Sequence, residues 1–87
     1  MYTLEYTVTD PMGLHARPAG LLVKKAAAFQ SSIAVKNPET GKSVDAKRIM
    51  GVMSLGVKQG NKIELIIEGE DEDEAKAELE GFLKENL

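Results

Sequence analysis

The sequence predicts an α+β fold in two layers: one antiparallel sheet of four strands with three helices over a single face, in the order β-α-β-β-α-β-α. Three observations carry this. Residues 2–8 and 62–68 alternate apolar and polar side chains with period two. From about Ala16, and again from Asp71, apolar residues recur at helical spacing instead. Three amphipathic helices in so short a chain then need one apolar surface to share, and a sheet covered on one side supplies it.

In the first strand Tyr2, Leu4, Tyr6 and Val8 face one way and Thr3, Glu5, Thr7 and Thr9 the other. The strand ends at the turn Asp10-Pro11-Met12-Gly13. A helix follows in which Ala19, Leu22, Val23, Ala26 and Phe29 form the buried stripe. Pro18 fixes its start, because proline lacks an N–H and fits only a first helical turn, so the helix begins near residues 15–17. Residues 32–36 and 42–45 read as two strands joined by the turn-forming stretch Asn37-Pro38-Glu39-Thr40-Gly41. Residues 46–55 read as a short apolar helix with Gly56 as its C′ glycine. The last strand, residues 62–68, turns Ile63, Leu65 and Ile67 to one side. A final helix opens on Asp71-Glu72-Asp73-Glu74, with capping-box spacing and acids where the helix dipole favours them, and buries Ala75, Leu79, Phe82 and Leu83.

Composition narrows the function. At 87 residues the chain is expected to be one domain, spanning 1–87. Its formal net charge of −3 offers no broad attraction to nucleic acid or anionic lipid. With no cysteine and a single histidine, disulfides, thiolate catalysis and cysteine–zinc sites are excluded, and neither a metal nor a cofactor is expected. The start, MYTLEYTVTD, has no basic segment followed by an apolar run, and nothing approaches the roughly 20 apolar residues of a membrane span. The expectation is a cytoplasmic protein.

The single histidine lies in GLHARPAG, residues 13–20. It sits at or just before a helix N-terminus, where unpaired backbone N–H groups and the helix dipole favour anions. Arg17 adds a planar fork of donors matched to a phosphoryl or carboxylate group. Histidine is a nucleophile able to carry a phosphoryl group on a ring nitrogen, and no metal is needed for that. On the residues alone two readings stand: a reversible phosphoryl acceptor, or a strand-end histidine beside a solvated arginine.

GLHARPAG followed by IMGVMSLG and KQGNKIEL resembles the HPr family, the histidine phosphocarriers of the bacterial sugar phosphotransferase system, over essentially the whole chain. The resemblance implies an open-faced β-sandwich with three helices on one side. It implies phosphorylation of His15 on Nδ1, Arg17 as phosphoryl partner, and the backbone of Ala16 and Arg17 holding the phosphoryl oxygens. It further implies Enzyme I as donor, with phosphoenolpyruvate as source, and sugar-specific IIA domains as acceptors. The protein would then be a carrier without turnover of its own, grouped with the phosphotransferases. Gly20, Leu21, Lys24, Ile49, Met50 and Met53 match the family's partner-binding patch, and flexible methionines suit a surface that fits several partners. Transient docking implies a monomer.

Three departures stand out. Many Gram-positive members carry a regulatory serine, the substrate of HPr kinase, where this chain has Arg48. Gly20 stands where alanine is usual, and the KNPETGKSV hairpin is two residues longer than is common. Arg48 favours the rival reading, a regulatory paralogue phosphorylated on His15 that signals to a non-sugar system or a transcriptional regulator. A pure interaction module is the third reading, and the intact His-x-Arg-Pro set argues against it.

Overall fold

A computed structural model describes all 87 residues. The elements are β1 (Tyr2–Thr7), α1 (Ala16–Ala27), β2 (Ser32–Asn37), β3 (Lys42–Asp45), α2 (Ile49–Met53), β4 (Lys62–Glu68) and α3 (Glu72–Asn86). The four strands form one antiparallel sheet in the order β1-β4-β2-β3. The expected α+β architecture is present.

Alternation sets which face is covered. Leu4 pairs with Leu65, Leu65 with Val35, and Val35 with Val44, so one apolar row crosses the sheet from edge to edge. A second row joins Tyr2, Ile67 and Ile33. The next row, Glu5, Glu64, Lys36 and Ser43, points the other way. The helices bury Ala19, Leu22 and Ala26 of α1, Val52 of α2, and Ala75, Leu79, Phe82 and Leu83 of α3 in one core with the apolar rows. Val23 and Phe29 pack at its margin rather than inside it. A core leucine removed here leaves a cavity between two layers, and such losses cost about 2–5 kcal/mol.

Two elements depart from the sequence expectation. Only Ile49–Met53 is helical in the stretch expected to be a helix over residues 46–55. Asp45 ends the preceding strand and draws the next residues into a turn: its Oδ1 accepts from the Lys47 N–H at 2.9 Å, and its carbonyl accepts from the Arg48 N–H at 3.1 Å. Gly56, at φ +65°, does leave in the left-handed conformation, but two residues beyond the C-cap Ser54 rather than one.

The second departure is at the start of α3. Asp71 occupies the N-cap, yet its carboxylate makes no capping bond. It reaches across to the α1–β2 connection, accepting from the Gln30 N–H at 2.8 Å, the Ser31 N–H at 2.9 Å and the Ser31 hydroxyl. Glu72 instead accepts from the Gly69 N–H at 3.1 Å. A helix cap has become a latch between distant parts of the chain.

The Ser31 hydroxyl, followed by the Gln30 N–H, holds the Asp71 carboxyl below the usual carboxylate range. A carboxyl depressed on folding stabilises the fold above its unfolded pKa and loses that contribution as pH falls through its folded value. We therefore expect the melting temperature of the wild type to fall more steeply below about pH 4 than that of Asp71→Asn. Thermal denaturation followed by circular dichroism at each pH checks this, and parallel curves would show that the latch does not depend on charge.

The loop from β1 to α1 is pinned on two sides. Val8 and Leu14 donate through their N–H groups to the carbonyls of Asn61 and Val57, at 2.9 and 3.1 Å, and Gly60 donates to Val8 at 2.8 Å. From the other side the Leu87 carbonyl oxygen accepts from the Thr9 N–H at 2.6 Å, the Thr9 hydroxyl at 2.9 Å and the Asp10 N–H at 3.1 Å. Within the loop the Gly13 N–H closes a turn on the Asp10 carbonyl at 2.9 Å.

Candidate phosphoryl-acceptor site

His15 is the N-cap residue of α1, with extended backbone at φ −87° and ψ −175°. Its carbonyl accepts the Ala19 N–H at 3.0 Å, the first bond of the helix. Its imidazole makes no capping bond, so the ring is free for other contacts. The N–H groups of Ala16 and Arg17 have no backbone carbonyl to bond, and Pro18 has no N–H. The helix therefore offers two open donors directly after the histidine.

His15 and Arg17 line one shallow cavity of about 180 Å³, together with Asp10, Pro18, Leu21, Glu85 and Asn86. The ring is half-buried and Arg17 exposed. The Oδ2 of Asp10 lies 3.6 Å from Nε2 of the ring. Asp10, Glu85 and Asn86 were not found by sequence reasoning. Asp10 reads in the sequence only as the first residue of a turn, and the other two arrive from the far end of α3, which nothing local in the sequence places here.

Most of the residues expected to form the partner patch are exposed. Leu21 is 40% exposed, Ile49 41%, Met50 79% and Met53 44%, too much open apolar surface on two short helical segments to serve packing. The true core members of this region are Val52 and Leu55. Lys24 is exposed one turn along α1 from Gly20 and Leu21. Gly20 is half-buried under α2, and a Cβ built on it would meet only Ile49 Cδ1, at 3.7 Å. Alanine fits there, so packing does not demand this glycine. Gly51 differs, because its Cβ would lie 3.3 Å from Val44 Cβ. Met12, also exposed, stands in the loop before His15 and was overlooked because a turn context hides its apolar character.

Arg48 is the N-cap of α2, exposed, with extended backbone and no capping bond from its side chain. Serine at this position would supply a hydroxyl acceptor for the open N–H groups of the short helix. We expect Arg48→Ser to raise stability by about 1 kcal/mol, read from urea denaturation, because that is the usual gain from a good N-cap. The variant is also expected to become a substrate of HPr kinase, whereas the wild type stays unmodified at this position. A phosphopeptide map after kinase treatment checks both, and phosphate on Ser43 or Ser54 of the wild type would place serine regulation elsewhere.

No cluster of three histidine, cysteine or acidic side chains could hold a metal ion, and no helix is long and apolar enough to cross a membrane.

Comparison with known proteins places this arrangement. Residues 2–85 match the family model of the PTS HPr component phosphorylation site. The chain is 49% identical over 85 residues to phosphocarrier protein HPr of Lysinibacillus sphaericus, covering 98% of this chain and 94% of that protein. It superimposes on HPr of Thermoanaerobacter tengcongensis with a TM-score of 0.88 at 45% identity, covering 97% of this chain and 92% of that one. The HPr-like protein Crh of Bacillus subtilis is 45% identical over 75 residues, 86% of each chain. The crystal structure of Crh, a domain-swapped dimer, matches with a TM-score of 0.75 at 41% identity over 100% of this chain and 98% of that one. With the fold, the family model and near-full-length relatives in agreement, the chain belongs to the HPr phosphocarrier family of the phosphotransferase system.

Proposed function

We propose that the protein carries a phosphoryl group on His15 Nδ1, received from phospho-Enzyme I charged by phosphoenolpyruvate and passed to sugar-specific IIA domains. The observation that supports this best is the place of His15. It is the last residue before a helix with two open N–H groups, in one cavity with the Arg17 guanidinium. Phosphoryl transfer asks little covalent chemistry of a protein and much positioning and charge stabilisation. The Nδ1 lone pair forms the bond to phosphorus while the donor's leaving atom departs with its own bonding pair. The three phosphoryl oxygens then meet the N–H groups of Ala16 and Arg17 and the guanidinium, donors fixed before the group arrives. Reversal passes the group on. No metal or cofactor takes part.

Gly20, Leu21, Lys24, Ile49, Met50 and Met53 form the docking surface in this reading, with the lysine favouring acidic partners. The protein acts in the cytoplasm as a monomer, and light scattering in solution would separate that state from a dimer of the kind Crh forms in its crystal. A second reading, a regulatory paralogue phosphorylated on His15 but serving a regulator rather than IIA domains, is favoured by Arg48 in place of the regulatory serine and by the similarity to Crh. Intact-mass spectrometry after incubation with phosphoenolpyruvate and the cognate Enzyme I tests both. An acid-labile phosphoryl adduct supports the carrier, and its onward transfer to IIA domains separates the two readings. No adduct sinks both.

A further inference from the structure

Asp10 is the one carboxylate with a short contact to the His15 ring, and its own geometry is built rather than incidental. Its N–H donates to Leu87, its carbonyl accepts from Gly13, and its Oδ1 accepts from the Met12 N–H at 2.9 Å. Backbone and one carboxylate oxygen are thereby committed to the loop. The other, Oδ2, is left facing Nε2 at 3.6 Å. Both side chains are half-buried beside the same cavity. The other charged groups lining that cavity are Arg17 of α1 and Glu85 of α3.

We propose that Asp10 is a positioning residue for phosphoryl transfer: its Oδ2 accepts the Nε2 proton of His15, so that the lone pair lies on Nδ1 and the ring keeps its Nε2 proton while it carries the phosphoryl group. The inference rests on the phosphocarrier reading above and adds a residue to it. A neutral imidazole has one donor and one acceptor nitrogen, and the partner of the donor decides which nitrogen is free. A carboxylate at Nε2 makes that the protonated nitrogen and leaves the Nδ1 lone pair as nucleophile. When the Nδ1–phosphorus bond forms, its electrons come from the Nδ1 lone pair, the donor's bond to phosphorus breaks with the pair staying on the donor, and positive charge develops on the ring. The carboxylate stabilises that charge without taking the proton, as the buried aspartate does for the histidine of a serine protease. On the return step the ring leaves as neutral imidazole with its Nε2 proton in place, so no proton need be found during transfer. At 3.6 Å the pair is beyond hydrogen-bond length, and with Asp10 Oδ1 held by the Met12 N–H it is the His15 ring that moves to close the contact.

The test compares wild type with Asp10→Asn, which keeps an acceptor for the Met12 N–H and so preserves the turn, and with Asp10→Ala. Nitrogen-15 NMR of the His15 ring in the unphosphorylated protein needs no phosphoryl chemistry. The wild type is expected to be overwhelmingly protonated at Nε2 when neutral, and both variants to move toward the mixed tautomers of a free imidazole. Rates of phosphoryl uptake from phospho-Enzyme I are expected to fall roughly tenfold in both, comparable to the low end of what losing the outer partner of a metal-binding histidine costs, with KM for Enzyme I and melting temperature unchanged in Asp10→Asn. Ring signals and rates alike in all three proteins would overturn the proposal and leave Asp10 a turn residue. A loss of rate in Asp10→Ala that Asp10→Asn fully rescues would also overturn it, since the turn alone would then account for the effect. If the wild type itself takes up no phosphoryl group, the carrier reading fails, and the ring signals still decide whether Asp10 holds the proton.

Discussion

His15→Ala is expected to take up no phosphoryl group at all while unfolding at the wild-type temperature to within a few degrees. The chain contains no second histidine and no cysteine to receive the group on nitrogen or sulfur. The structure also separates the role of the ring from the stability of the helix it precedes. At the N-cap the His15 side chain makes no bond to a helix N–H, and the capping bond that does form uses its carbonyl, which alanine retains. The ring is half-buried beside a cavity rather than in the core, and its 3.6 Å contact with Asp10 is partly open to water, where even a charged pair contributes only about 0–1 kcal/mol. Intact mass after incubation with Enzyme I and phosphoenolpyruvate, beside thermal denaturation of the same sample, checks both halves. A variant that lost its fold along with its adduct would show that the ring holds α1 in place. An adduct retained by the variant would move the acceptor to another residue.

This separation follows from how the site is assembled. Arg17 and the Ala16 and Arg17 N–H groups belong to the first turn of α1, whose position is set by Ala19, Leu22 and Ala26 in the core rather than by anything at the site. The Ala16 and Arg17 N–H groups are thus fixed by burial elsewhere, and in the proposed phosphocarrier they need not reorganise when the group arrives. Ile49, Met50 and Met53 stay open for the opposite reason: α2 is too short to turn those side chains inward while Val52 and Gly51 press against the sheet, and Leu21 is exposed on α1.

Much of this was legible in the sequence, and the limits have physical causes. The strand 62–68 and the stripe of α1 could be read because strict periodicity reports burial directly. The helix start was fixed by Pro18, a steric constraint that no tertiary contact overrides. The length of α2 was overestimated because Ala46 and Lys47 have good helix propensity, and the competing Asp45 turn is a local hydrogen bond that propensity does not register. Asp71 was read as a cap because spacing cannot say where a carboxylate turns, and Ser31 is forty residues away in the chain. His15, Arg17 and the open N–H groups were visible because they are contiguous. Asp10 and Glu85 were not, because one depends on the side-chain rotation that the loop imposes and the other on where α3 ends against α1.

Gly13→Ala is expected to do what His15→Ala does not: unfold the protein at a much lower temperature. Gly13 has φ +67°, in the left-handed region, where a Cβ alone costs about 1–2 kcal/mol. Here there is also no room for one. The Cβ would overlap the Val57 carbonyl oxygen and lie 2.7 Å from Lys58 Cα, both backbone atoms that cannot rotate aside. Relief would require the β1–α1 loop to part from the segment before β4, breaking the 3.1 Å bond from the Leu14 N–H to Val57 and moving buried Leu14 outward. The combined cost is expected to reach about 3 kcal/mol or more, in the range of strained backbone with lost core contacts. For a domain of this size that lowers the melting temperature by about 12 °C or more. Gly41→Ala is the control that isolates the steric part. Its φ is +77°, equally left-handed, but nothing lies within 4 Å of its Cβ, so only the conformational cost of about 1–2 kcal/mol applies. Should the two variants melt together, the close approach of Gly13 to Val57 carries no energy, and the loop before His15 is softer than its hydrogen bonds imply. Should Gly13→Ala fall well below Gly41→Ala, the loop before His15 is held by backbone packing against residues 57–58.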